Sequence, residues 1–112
     1  MKVKDIVEKL ELKVLSGENG LGNEVTGGYT SDLLSDVMGN CNQGDIWITL
    51  QTHKNVMAVA SLKDIAAVVI VKGLKPEEDT LLKSNEENIP ILSTDLETFE
   101  ITGKIHSLIS KG

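Results

Sequence analysis

Arginine is absent from the chain, and with it the side chain that most often forks onto phosphates and base edges. All 11 basic residues are lysines, and 17 acidic residues leave a net charge of −6. An acidic chain repels a polyanion, so nucleic acid is excluded as a partner. A small anion is not excluded, because backbone N–H groups and one lysine can hold a phosphate. Cysteine is limited to Cys41, which rules out a disulfide framework and a cysteine metal cluster. Aromatic residues are 3% of the chain, so the core has to be built from Val, Ile, Leu and Ala. The longest apolar run, Ile65 to Val71, is too short to span a bilayer. The N-terminal "MKVKDIVEKLELKV" reads as an amphipathic helix and a strand rather than a signal peptide. A cytoplasmic protein with no membrane partner is expected.

What remains is ordinary globular material, 40% apolar and 25% charged over 112 residues, enough for one domain with a modest core. Val3, Ile6, Val7 and Leu10 recur at helical spacing, which predicts a helix over about 3–9. "LKVLSG" reads as a strand. Residues 17–32 hold five glycines and predict turns around a short strand near Val25 to Tyr29. "LLSDVMGN" predicts a short helix.

From Gly44 the pattern is clearer. Strands are predicted at Ile46–Thr49, Ala67–Val71 and Ile89–Leu92. Helices are predicted at Asn55–Leu62, over "KPEEDTLLKSNEEN", and over "STDLETFEITGKIHSLIS". Thr52 or His53 suits the cap of the first of these. Thr94 and Glu97 are spaced as a capping box for the last, whose apolar stripe is Leu96, Ile101, Ile105, Leu108 and Ile109. Strand and helix alternate with short connections, the signature of right-handed βαβ units. The fold class expected is α/β, a three-layer helix/sheet/helix arrangement. Its sheet should be mostly parallel, with room for mixed pairing, and contain four to five strands.

Three blocks carry a family resemblance: "GGYTSDLLSDVMGN", "GDIWITLQTHKNVMAVASLKDIAAVVIVKG" and "IPILSTDLETFEITGKI". Together they resemble the DRTGG domain, although the pentapeptide that names the family is absent. The resemblance implies a small α/β module with a fold similar to the N-terminal domain of HPr kinase/phosphorylase, here a single domain over residues 1–112. It also implies an accessory or regulatory role, a tendency to dimerise and no known reaction.

In a parallel sheet, ligands gather beyond the carboxyl ends of the strands. Those ends are polar here, and two of them lead into helix N-termini, which offer free N–H donors. Thr49, Thr52, His53 and Asn55 follow one strand, Lys72 the next, and Ser93 and Thr94 the third. These seven residues are expected to line one shallow pocket for a small anion such as a nucleotide or phosphorylated metabolite. The competing reading makes them turn and cap residues. Other features have blander readings. "TGGY" lacks the Lys-Ser/Thr pair of a phosphate-binding loop. Ser31 or Asp32 serves as a helix cap rather than joining Asp36 on a metal. Cys41 has no activating neighbour in sequence, and His106 reads as a surface or interface residue. Trp47 suits either the core or a dimer contact, and Val56, Met57 and the last helix around His106 are further dimer candidates.

No nucleophile, base and orienting group can be assembled, so an enzyme is the weakest class. The function expected is a stand-alone regulatory or accessory module, homodimeric, acting through a small anionic ligand or a partner enzyme, with no cofactor assigned. The alternative is a structural dimerisation module without a ligand.

Overall fold

The computed structural model describes residues 1–111. Five strands form one sheet: β1 (Lys13–Ser16), β2 (Gly27–Thr30), β3 (Asp45–Thr49), β4 (Ala67–Ile70) and β5 (Ile91–Ser93). Their order is β1-β5-β4-β3-β2. Four of them run parallel, and β1 alone is antiparallel, against β5. Five helices surround the sheet: α1 (Val3–Leu10), α2 (Leu34–Asn40), α3 (Asn55–Leu62), α4 (Glu78–Glu87) and α5 (Thr98–Lys111).

The topology explains the layers. From β2 to β5 each strand steps one place in the same direction, so right-handed crossovers carry α2, α3 and α4 over one face. On that face Val37, Val56, Met57 and Ala60 pack on Trp47, Val68, Ile70 and Ile91, with Leu81 at the margin. The opposite face is closed by α1 and α5, whose Val3, Ile6, Ile101 and Ile105 pack on Ile46, Ile48, Val69 and Leu92. Both faces are covered, which is why β3 and β4 are buried at every position instead of alternating. The expected stripe of α5 lies in this core, with Ile101 and Ile105 fully buried and Leu96, Leu108 and Ile109 packed at its edge.

The main differences from the sequence reading fall at element ends. The last helix begins at Thr98, not at Ser93, and Thr94 does not cap it. Its hydroxyl instead accepts from the Leu96 N–H at 3.2 Å and closes a tight turn, since a short hydroxyl side chain satisfies the backbone two residues on. In α4 the cap position is Glu77, so Pro76 stays outside the helix. No side chain caps α2. Ser31 accepts from the Leu33 N–H at 3.2 Å, and Asp32 is taken up by β3. Trp47, Val56 and Met57 are at most 1% exposed, which leaves only the last helix, among the residues considered for a dimer contact, at the surface. The Trp47 indole donates to the Ser31 carbonyl at 2.8 Å, which satisfies its one polar atom inside the core.

Candidate functional site

The carboxyl ends of β2 to β5 meet along one edge of the sheet, and the chain spends most of that edge on itself. At the β2–β3 exit, one Asp32 carboxylate oxygen accepts from the Thr49 hydroxyl at 3.0 Å and from the Leu50 N–H at 2.8 Å. The Gln51 amide donates to the Asp32 carbonyl at 2.7 Å. Thr49 itself is fully buried, and its hydroxyl also accepts from the Gln51 N–H. A carboxylate thus stands where an anion would have to approach Thr49, and like charge disfavours that approach.

The next two exits are tied in the same way. The Thr52 carbonyl accepts from the Glu77 N–H at 3.1 Å and the Thr80 hydroxyl at 2.9 Å, joining the β3 loop to the start of α4. His53 is exposed, and its Nδ1 accepts from the Asn55 N–H at 3.1 Å, so it closes the first turn before α3. The chain beyond β4 is zipped to the chain beyond β5. Lys72 N–H donates to Leu96 O at 3.0 Å, and Gly73 N–H donates to Thr94 O at 2.8 Å. Lys72 and Gly73 both adopt left-handed φ, 60° and 65°. A Cβ at Gly73 would stand 2.8 Å from an Asp95 carboxylate oxygen, so glycine is needed at this crossing. The Lys72 ammonium lies 3.6 Å from Glu97, an exposed pair worth no more than about 1 kcal/mol.

Beyond this self-satisfied stretch the edge opens into a cleft of about 430 Å³, where Ser93 and Thr94 lie. Four elements build it. The end of α1 supplies Lys9 and Glu11, the start of β1 supplies Lys13, the exit of β5 supplies Ser93, Thr94 and Asp95, and the outer side of α5 supplies Glu100 and Lys104. Antiparallel pairing of β1 brings Lys13 directly opposite Ser93. Three lysines and three carboxylates therefore share one concavity. Each ion pair among the described residues involves other groups: the N-terminus with Glu24, Lys72 with Glu97, and Lys83 with Glu86. The charges of the cleft are thus held apart and stay available to something that enters it.

Of the seven expected residues, the structure brings Ser93 and Thr94 into this cleft, while Thr49, Thr52, His53 and Lys72 each have a partner within the chain. Asn55 opens α3 and uses its N–H on His53. Asp32, Lys9, Lys13 and Lys104 were not anticipated. Asp32 was within reach, since it directly follows a strand whose exit had to lie on the same edge. The lysines were not, because nothing local indicates that β1 runs against β5.

Three further groups are perturbed, among them the Tyr29 phenol, which its hydrogen bond to Asp36 and partial burial push up. Hydrogen bonds from Ser31, Tyr29 and Asn40 hold the Asp36 carboxyl below its usual range, with the Tyr29 phenol 2.9 Å from both oxygens. Burial pushes the Cys41 thiol up, which keeps it neutral and unreactive. No helix among the described residues is long and apolar enough to cross a membrane.

No curated protein matches the chain. Among solved structures, it is similar to the crystal structure of the CBS and DRTGG domains of the regulatory region of Clostridium perfringens pyrophosphatase, complexed with the activator diadenosine tetraphosphate. The match covers 91% of this chain with a TM-score of 0.69 at 14% identity, a likeness of fold. This chain spans 44% of that one. Residues 5–108, nearly the whole of the chain, match the DRTGG domain, and the chain belongs to that family.

Proposed function

We propose that the protein is a regulatory or accessory module that senses a nucleotide or similar phosphorylated metabolite in the cleft between β5, β1, α1 and α5, and that it works as a homodimer. The observation that carries the ligand reading is the set of three lysines, from three separate elements, that converge beside Ser93 and Thr94 without partners. Phosphate oxygens suit lysine ammonium groups and hydroxyl donors. The carboxylates of Glu11, Asp95 and Glu100 make the cleft formally neutral, and they accept from amino and hydroxyl groups. That balance favours a ligand with phosphates at one end and donors at the other, such as a nucleoside phosphate, over inorganic phosphate. The solved relative is a regulatory region bound to a dinucleoside polyphosphate, a ligand of this class.

The test is a thermal-shift and calorimetric screen of nucleotides, phosphorylated metabolites and inorganic phosphate. A ligand present at about 100 times its Kd stabilises the fold by about 2.7 kcal/mol. Lys13→Ala and Lys104→Ala should each weaken binding about tenfold, the loss expected for one charge-assisted hydrogen bond, and leave the unliganded fold unchanged. If no phosphorylated compound shifts the melting temperature, the ligand reading fails and a structural dimerisation module replaces it. Binding that neither substitution weakens would place the ligand elsewhere.

A further inference from the structure

The two edges of the sheet are not alike. One edge is β1. Its pairing with β5 is broken by a register shift between Val14 and Ser16, and Lys13 stands at its start. Its far end is fastened to α4 by hydrogen bonds from Ser16 to Ser84 at 2.8 Å and from the Gly17 N–H to Asn85 at 2.7 Å. A bulge, a lysine and a covering helix are the usual means by which an edge strand is kept from pairing with another chain.

The other edge, β2, has none of these. Gly27 to Thr30 pairs with β3 in unbroken register and carries no charge and no proline. The N–H of Ser31 turns inward onto the Ile48 carbonyl at 3.2 Å, and strand alternation then turns the N–H and C=O groups of Gly28 and Thr30 outward. Beside this edge, a groove of about 220 Å³ runs between β2 and α5. None of the ten residues that line it is Asp, Glu or Lys, although such residues make up 25% of the chain and six of the ten that line the lysine cleft. Thr102, His106 and Ile109 form its α5 side.

We infer that β2 and the adjoining face of α5 form a self-association surface, on which a second copy of this chain pairs its own β2 antiparallel to the first across a twofold axis. The inference rests on the homodimer reading given above and assigns it a surface. Charge selects the occupant. Two chains of −6 meet with least repulsion where neither presents carboxylates, and Val25 to Ser31, the segment that forms the edge, is itself free of charged residues. The twofold then matches an uncharged strand with an identical one, as an isologous interface requires.

Geometry restricts the register. A twofold perpendicular to the sheet keeps α5 on the same face in both copies, so each residue must oppose one of its own parity. Pairing centred on Gly28 sets Tyr29 of one copy against Gly27 of the other, an aromatic beside the bare backbone of a glycine. A stable interface needs about 800 Å² from each partner. A four-residue strand covers less than that, so the outer face of α5 has to take part.

The test is sedimentation across a concentration series, for the wild type and for Gly28→Lys and His106→Glu. A Cβ at Gly28 meets nothing closer than 3.5 Å, and His106 is exposed, so both substitutions suit the monomer fold. Phe99→Ser, at an exposed apolar position outside the groove, serves as the control. The expected result is a wild-type dimer that Phe99→Ser retains and both groove variants lose, with circular dichroism unchanged. Amide exchange gives an independent readout: the Gly28 and Thr30 N–H groups should become protected as concentration rises. A dimer that survives both groove substitutions overturns this surface and leaves the homodimer reading standing. A wild type that stays monomeric at high concentration overturns both.

Discussion

Asp36 shows how a single residue can be claimed by structure rather than chemistry. It sits four positions after Asp32 in α2, a spacing that invites a shared metal, yet the two carboxylates turn to different partners. Asp32 takes the β3 exit, and Asp36 takes Ser31, Tyr29 and Asn40. Because Asp36 has a folded pKa below its unfolded one, its contribution to stability is present above the unfolded value and is lost as pH falls through the folded value. Tyr29→Phe removes the phenol that donates to both oxygens. The Asp36 carboxyl should then titrate closer to the ordinary range, followed by carboxyl NMR. The variant should be less stable than wild type at neutral pH, and the gap should close as the pH falls below the titration of the wild-type carboxyl. Unchanged titration would show that the phenol does not set this pKa.

At the scale of the element, β4 is decisive. It lies between β3 and β5 with both faces covered, and Val69 is fully buried toward α1 and α5. Val69→Asp places a charge where no cation or donor can reach it, at a cost of about 3–5 kcal/mol. That is a large part of the stability of a domain this size. Chemical denaturation should show a folded baseline that is shortened or lost. A variant as stable as wild type would mean that this strand is not the centre of the sheet. The apolar runs of β3, β4 and α3 and the periodic stripe of α5 were legible in sequence. Element ends were less so. Hydroxyl and carboxylate side chains can satisfy several nearby backbone groups, and the fold decides which. Thr94 closes a turn before α5, and Asp32, instead of capping α2, binds Thr49 and Leu50.

For the whole molecule, the net charge of −6 acts in opposite ways on the two proposed surfaces. Self-association through an uncharged groove is opposed by the mutual repulsion of the copies, and salt screens that repulsion over about 10 Å at 0.1 M. Ligand binding to Lys9, Lys13 and Lys104 draws on attraction, which the same salt weakens. Added sodium chloride should therefore tighten the dimer and loosen nucleotide binding. Sedimentation and calorimetry at low and high salt would read the two effects separately. A dimer that loosens with salt would be one held by ion pairs, not by the β2 groove.

The sequence by itself determined the α/β class, the three adjacent parallel strands after Gly44, the polar carboxyl edge and the resemblance to the DRTGG family. These follow from apolar runs, from the helical period of the outer helices, from the motif blocks and from short connections, all of which are local or compositional. Only the tertiary structure decided which polar residues at that edge were left free. Asp32 takes the Thr49 hydroxyl, the start of α4 takes the Thr52 carbonyl, the turn before α3 takes Nδ1 of His53, and Glu97 pairs with Lys72. The open cleft is made where the two ends of the chain meet, α1 and β1 against β5 and α5. That meeting depends on β1 pairing antiparallel with a strand some eighty residues later, a register set by the closing of the sheet and by no local signal in the chain.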